Sequence, residues 1–173
     1  GPLAAYVHSL GLKFGLHIMR GIPRQAVHAH TPVLGTTLDA AAVAHATSLS
    51  SWNTDMYGVD ARKLGAQAWY DSIFQLYAGW GVDFVKVDDI ADPYSAGEVE
   101  LIHAAIERCG RPIVLSLSPG PAALEHAAHL KAHANMWRIS WDFWDRWSDL
   151  HKNFALCAAW AEHAGPGHWP DAD

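Results

Sequence analysis

The stretch Gly81-Val82-Asp83-Phe84-Val85-Lys86-Val87-Asp88-Asp89 decides how this chain is read. Its apolar residues read as a buried β-strand. A lysine and two carboxylates then appear where such a strand should end. Isolated charges are costly to desolvate, and chains tolerate that cost where the charges do work. About fifty residues later Trp137-Arg138-Ile139-Ser140-Trp141-Asp142 repeats the theme. Two carboxylates at two strand ends, each with a cation nearby, point to acid–base or nucleophilic work on a polar substrate.

Working outward, Leu12 to Ile18 reads as a strand, preceded by a helix end closed at Gly11. Residues 20 to 58 read as a long irregular stretch, with a short helix from Asp39 to His45. A stretch of that length inside a domain is usually functional. Lys63 to Gly79 has helical periodicity, with Ala66, Trp69, Tyr70, Ile73, Phe74 and Tyr77 on one face. Ser95 to Cys109 is a second amphipathic helix, and Ile113 to Leu117 a strand. Ala122 to His129 reads as helix, Ala134 to Ser140 as strand, and Leu150 to Glu162 as helix. A fifth strand begins near Asp171.

Strands alternating with helices imply a parallel sheet with crossover helices. His17, Lys86 with Asp88, Ser116 with Ser118, Arg138 with Asp142, and Asp171 all fall at the C-terminal ends of the strands. In a (β/α)8 barrel the chemistry sits at that end. The expected fold is therefore α/β, a partial (β/α)8 TIM barrel of roughly strands 3 to 7, truncated at both ends. Residues 1–173 are expected to be a fragment of one barrel domain.

The composition narrows the partners. A net charge of −6 supplies no basic stripe for phosphates, so nucleic acid is not an expected partner. No apolar run approaches the ~20 residues that cross a bilayer. Cys109 and Cys157 read as free, partly buried thiols. Nine tryptophans are many for this length. Trp52, Trp137, Trp141, Trp144 and Trp169 lie near strand ends, where aromatic faces suit sugar rings. Trp69, Trp80 and Trp160 read as core.

These motifs resemble the family-27 glycoside hydrolases, the α-galactosidase or melibiase group, from about Leu3 to Asp173. Lys13-Phe14-Gly15-Leu16-His17 is similar to that family's third barrel strand. Trp80 to Asp88 is similar to its fourth, and Trp137 to Trp147 to its sixth. Gly165 to Asp173 is similar to the segment at its seventh. The resemblance implies a retaining exo-glycosidase for terminal α-D-galactosyl residues, with α-N-acetylgalactosaminides and β-L-arabinopyranosides as alternatives. It implies Asp88 as nucleophile and Asp142 as general acid/base, with Lys86 and Arg138 on sugar hydroxyls and holding Asp88 ionised. His17 takes the place of a substrate-lining tyrosine. The partner is a galactoside-type carbohydrate, no cofactor is expected, and the family suggests a secreted or periplasmic protein.

The chain departs from the family at the fifth strand, where Cys-Glu-Trp is usual and Ser116-Leu117-Ser118-Pro119-Gly120 stands here. Ser118 is similar to the smaller residue that admits an acetamido group in N-acetylgalactosaminidases. Ile90 stands where one cysteine of the family's disulfide would be.

The two carboxyls have opposite needs. Asp88 must be ionised, and Lys86, two residues earlier on the same side of the strand, favours that. Asp142 must hold a proton, and Trp141, Phe143 and Trp144 are expected to desolvate it. Asp142 and Asp145 also suit caps for the following helix. Asp89 is expected to face away or to begin the loop, serving loop hydrogen bonding or the rim of the pocket. Asp171 and Asp173 are as suited to stabilising the loop as to binding. Two other classes stay open: a metal-dependent barrel hydrolase built on His28-Ala29-His30, and a carbohydrate-binding relative without turnover.

Overall fold

The computed structural model describes residues 1–173 and opens on helix α1 (Pro2–Ser9). Its main sheet has five parallel strands: β1 (Gly15–Met19), β5 (Phe84–Asp88), β6 (Val114–Leu117), β7 (Met136–Arg138) and β8 (Trp169–Asp171), hydrogen-bonded in that order. The crossovers carry α4 (Ala66–Trp80), α5 (Ala96–Arg108), α6 (Ala127–His133) and α7 (Trp147–Trp160). This is part of a (β/α)8 barrel, with β1 and β8 as its two outer strands.

Register explains why polar groups gather at one place. His17, Lys86, Ser116, Met136 and Trp169 align across the five strands, and Asp88 and Arg138 lie two residues further along their own strands. Side chains two apart share a face, so these residues line the inner surface. The opposite set, with Val85, Val87, Leu115, Leu117 and Trp137, is fully buried in one core with Tyr70, Phe74, Val99 and Ile102 of α4 and α5. Gly81, at φ +84°, ends α4 in the left-handed conformation and turns the chain into β5.

At the N-terminal end of the sheet, Asp83 fastens several elements. Its Oδ2 accepts from the Phe14 N–H at 2.8 Å and lies 2.6 Å from His8 Nε2, while Arg111 donates to Oδ1 at 2.5 Å. Burial works against ionisation here, but these partners outweigh it and hold the carboxyl below the usual range. Stability is built at this end and function at the other, as in barrels generally.

The stretch read as irregular contains a second sheet. Strands β2 (Ile22–Pro23), β4 (Met56–Val59) and β3 (Ala44–Leu49) pair antiparallel in that order. Helix α2 (Arg24–His28) follows β2. The expected helix near Asp39 is one turn, α3 (Ala40–Val43), whose first turn is capped by the Asp39 side chain accepting from Ala42 N–H. The sheet left little trace in the sequence because its strands are two to six residues long, and β3 is bulged between His45 and Leu49.

Several local readings need correction. Trp80 is substantially exposed, Trp69 half-buried, and only Trp160 is core. Trp137 is no sugar platform: it is fully buried, with its ring 5.8 Å from that of Trp160. Cys109 is half-buried and Cys157 exposed, both free. Helix α7 begins at Trp147 without a side-chain cap, so neither Asp142 nor Asp145 serves as one. Ile90, in the expected cysteine position, is packed in the core.

Candidate active site

A cleft of about 610 Å³ opens at the C-terminal ends of the strands. Its lining includes all six residues singled out from the sequence: His17, Lys86, Asp88, Ser118, Arg138 and Asp142. They come from four different strands and the loops after them. The antiparallel sheet contributes one wall through Leu49, Ser51 and Trp52. Trp141 lines the cleft while remaining 61 % exposed, so its ring is available to a ligand.

Asp88 is held asymmetrically. Its Oδ1 accepts from the Asp89 N–H at 3.0 Å and from Ser118 Oγ at 3.2 Å. Its Oδ2 has one neighbour, His17 Nε2, at 3.3 Å, on a mostly exposed ring. One oxygen is thus fixed by two donors and the other is presented to the cleft. Lys86 lines the same cleft but makes no ion pair with Asp88; the cation beside the carboxylate at this distance is the imidazole when protonated.

Arg138 is almost wholly buried. It donates to Ser140 O at 3.0 Å, lies 3.4 Å from Asp142 Oδ1, and meets Asp173 Oδ1 at 2.9 Å. Its guanidinium therefore serves Asp142 and Asp173 rather than Asp88. The expected desolvation of Asp142 is not met: its side chain is 69 % exposed, and Trp144 and Phe143 leave it open. Asp173 also accepts from the Phe143 N–H at 2.7 Å, tying the segment after β8 to the loop that carries Asp142. Asp171 accepts from the Asp173 N–H at 3.0 Å. Asp173 and Asp92 both line the cleft. No sequence pattern set Asp92 apart from an ordinary loop aspartate.

Two loops meet tightly beneath the cleft. A Cβ on Gly120 would come within 2.4 Å of Ser140 O and 2.9 Å of Ser140 N. Only glycine lets the Ser118 loop lie so close to the loop before Asp142. The histidines that suggested a metal have other roles: His30 Nδ1 lies 2.7 Å from Asp39, and His28 ends α2. No group of three or more His, Cys, Asp or Glu side chains is arranged to hold a metal ion.

Residues 61–173 match the family model described as alpha galactosidase A, a melibiase. The chain belongs to that family of glycoside hydrolases. A GH27 β-L-arabinopyranosidase from Geobacillus stearothermophilus, solved in complex with arabinose, is 62 % identical with a TM-score of 0.97. That match covers 99 % of this chain and 41 % of the solved one. Alpha-galactosidase 3 of Hypocrea jecorina is 33 % identical over 126 residues, which is 67 % of this chain and 19 % of that protein. Human alpha-N-acetylgalactosaminidase is 29 % identical over 183 residues, covering 99 % of this chain and 36 % of its own length. This melibiase-family chain thus spans less than half the length of each of these relatives.

Proposed function

We propose that this chain is a fragment of a single TIM-barrel catalytic domain and carries the two catalytic carboxyls of a retaining exo-glycosidase. The donor is a terminal pyranoside of α-D-galacto ring configuration. That set includes α-D-galactosides and β-L-arabinopyranosides, which share the ring stereochemistry and differ by a hydroxymethyl group. The observation that carries the reading is the convergence of Asp88 and Asp142 on one cleft at the C-terminal strand ends.

In the proposed first step, Asp88 Oδ2 attacks the anomeric carbon as the bond to the leaving oxygen breaks. Asp142 gives that oxygen its proton. In the second, Asp142 takes a proton from water, the water oxygen bonds to the anomeric carbon, and the ester to Asp88 breaks. Retention requires the two carboxyls to stand ~5–5.5 Å apart across the bound sugar. With one oxygen pinned by Asp89 N–H and Ser118, Asp88 loses little freedom on reacting. Arg138 keeps Asp142 beside the cleft. Lys86, with no ion-pair partner of its own, is free to donate to sugar hydroxyls.

A second reading on the same mechanism, hydrolysis of α-N-acetylgalactosaminides, is favoured by one observation: small Ser118 stands where the resemblance puts a glutamate at the sugar's 2-position. The test is a panel of p-nitrophenyl α-D-galactoside, β-L-arabinopyranoside and α-N-acetylgalactosaminide on the full-length protein. Asp88→Asn and Asp142→Asn should each lose several orders of magnitude in rate. Azide should partly rescue Asp88→Gly. Full activity in either Asn variant overturns the reading, and a chelator-sensitive activity would favour a metal hydrolase.

A further inference from the structure

Asp89, the second carboxylate of the pair at the end of β5, is not accounted for by the chemistry above. Its backbone is in the left-handed region at φ +61°, a conformation uncommon outside glycine. Its side chain is buried, and so are those of the three residues gathered around it, Arg20, Glu98 and Tyr70. Arg20 follows the end of β1, and its own N–H donates to Asp88 O at 3.0 Å. The Arg20 guanidinium grips Asp89 twice, through the peptide carbonyl and through carboxylate Oδ2 at 3.1 Å. A third arm reaches Glu98 Oε1 on α5 at 2.7 Å. The Tyr70 hydroxyl on α4 donates to the other Glu98 oxygen and accepts from the Gly21 N–H at 2.8 Å.

The neighbouring sheet is shaped to admit this network. A Cβ on Gly58 would stand 2.6 Å from Arg20 Nη1. A Cβ on Gly21 would stand 2.0 Å from Tyr57 O. One arginine thus faces two buried carboxylates, and burial raises the Glu98 pKa against the pull of Arg20 and Tyr70. Buried ionic groups of this kind are weak sources of stability. What the network does fix is the backbone on both sides of the Asp89 Cα: the Arg20 N–H holds the carbonyl of the Asp88–Asp89 peptide, and the Arg20 guanidinium holds the carbonyl of the next. With Asp89 clamped at its carbonyl and its carboxylate, its N–H points at Asp88 Oδ1, 3.0 Å away.

We propose that Asp89, clamped by Arg20 and backed by Glu98 and Tyr70, is a positioning residue that sets the Asp88 carboxylate for attack. The inference rests on the assignment of Asp88 as nucleophile. Loss of the clamp should leave ligand binding nearly intact and slow the step in which Asp88 reacts. A carboxylate misplaced by an ångström costs on the order of 100-fold in rate.

The test uses the full-length protein and whichever p-nitrophenyl glycoside it hydrolyses fastest. Asp89→Asn keeps the shape and removes the charge that Arg20 holds. Glu98→Gln loosens Arg20 from behind, and Arg20→Lys keeps the charge but loses the fork that holds carbonyl and carboxylate together. For Asp89→Asn and Arg20→Lys, kcat should fall about 10- to 100-fold, while KM and the Kd of the free sugar stay within about threefold. Glu98→Gln should show the same split with a smaller fall. A folded Asp89→Asn with unchanged kcat overturns the proposal, as does one whose melting temperature alone drops. If Asp89→Asn does not fold, an unchanged kcat in Glu98→Gln overturns it equally. Asp88→Asn is assayed in parallel. Activity surviving there removes the nucleophile assignment itself, whereas an inactive Asp88→Asn beside an unimpaired Asp89→Asn removes only the clamp.

Discussion

Replacing Ser118 with alanine would remove one hydroxyl and little else. The backbone at this position is fixed independently, because Ser118 N donates to Val87 O at 2.9 Å and Ser118 O accepts from Ile90 N–H at 3.0 Å. The lost interaction is the 3.2 Å hydrogen bond from Oγ to Asp88 Oδ1. A hydrogen bond to a charged group contributes about 1.5–3 kcal/mol. At 3.2 Å this one is longer than the usual range for a hydroxyl donor, and Asp89 N–H still serves the same oxygen. The lower end, about 1.5 kcal/mol, therefore applies, or roughly a tenfold loss in kcat/KM. Because Ser118 touches the carboxylate, kcat should carry the loss, and all three sugars of the panel should suffer alike. Steady-state kinetics of Ser118→Ala on that panel decide the matter. A loss seen only in KM, or only for one substituent at the sugar's 2-position, would place Ser118 on the ligand and refute the argument.

Two further substitutions probe the scaffold. Gly120→Ala forces a methyl to 2.4 Å from the Ser140 carbonyl, so the full-length variant should lose about 1–3 kcal/mol in denaturant melts and lose turnover as the loops before Asp142 and after Ser118 separate. Wild-type stability and activity would show that the loops part freely. Asp83→Asn tests the clamp at the opposite end. The folded pKa of Asp83 is depressed, so its contribution is present above the unfolded value of about 3.9 and is lost as pH falls through that value towards the folded one. The variant should be less stable at neutral pH and show a flatter acid limb in thermal melts between about pH 5 and 2. An acid limb identical to that of the unaltered protein would contradict the assignment.

How much of this was legible in the sequence depended on the range of the interaction. Asp88 and Lys86 stood out because a charge at the end of an apolar strand is a local signal, and the five parallel strands followed from strand–helix alternation. Asp142 was legible through its aromatic neighbours, but its exposure was not, since Trp141 and Trp144 are themselves mostly exposed and leave its side chain open. The partners of Asp89 were invisible. Arg20 lies 69 residues from it and Glu98 lies 78 residues from Arg20. Glu98 sits in the first turn of an amphipathic helix, where an acidic residue usually faces solvent and the helix dipole. The antiparallel sheet escaped because a six-residue bulged strand such as Ala44–Leu49 has no clean alternation to read. Its contribution of Trp52 to the cleft was legible as an aromatic ring near a strand end, in a stretch long enough to be functional. Arg138 was expected beside Asp88 on the family resemblance alone. The structure gives it instead to Asp142 and Asp173, both nearer in sequence or in sheet order.

The most direct measurement is covalent. The full-length protein is incubated with an activated 2-deoxy-2-fluoro glycoside of the sugar it hydrolyses, which slows the second step more than the first, and the protein is then digested and mapped by mass spectrometry. The account predicts one added glycosyl group per active site, esterified to Asp88, and none in the Asp88→Asn variant. A label on Asp89, Asp142 or any other side chain, or turnover with no covalent species and inverted product, would contradict it.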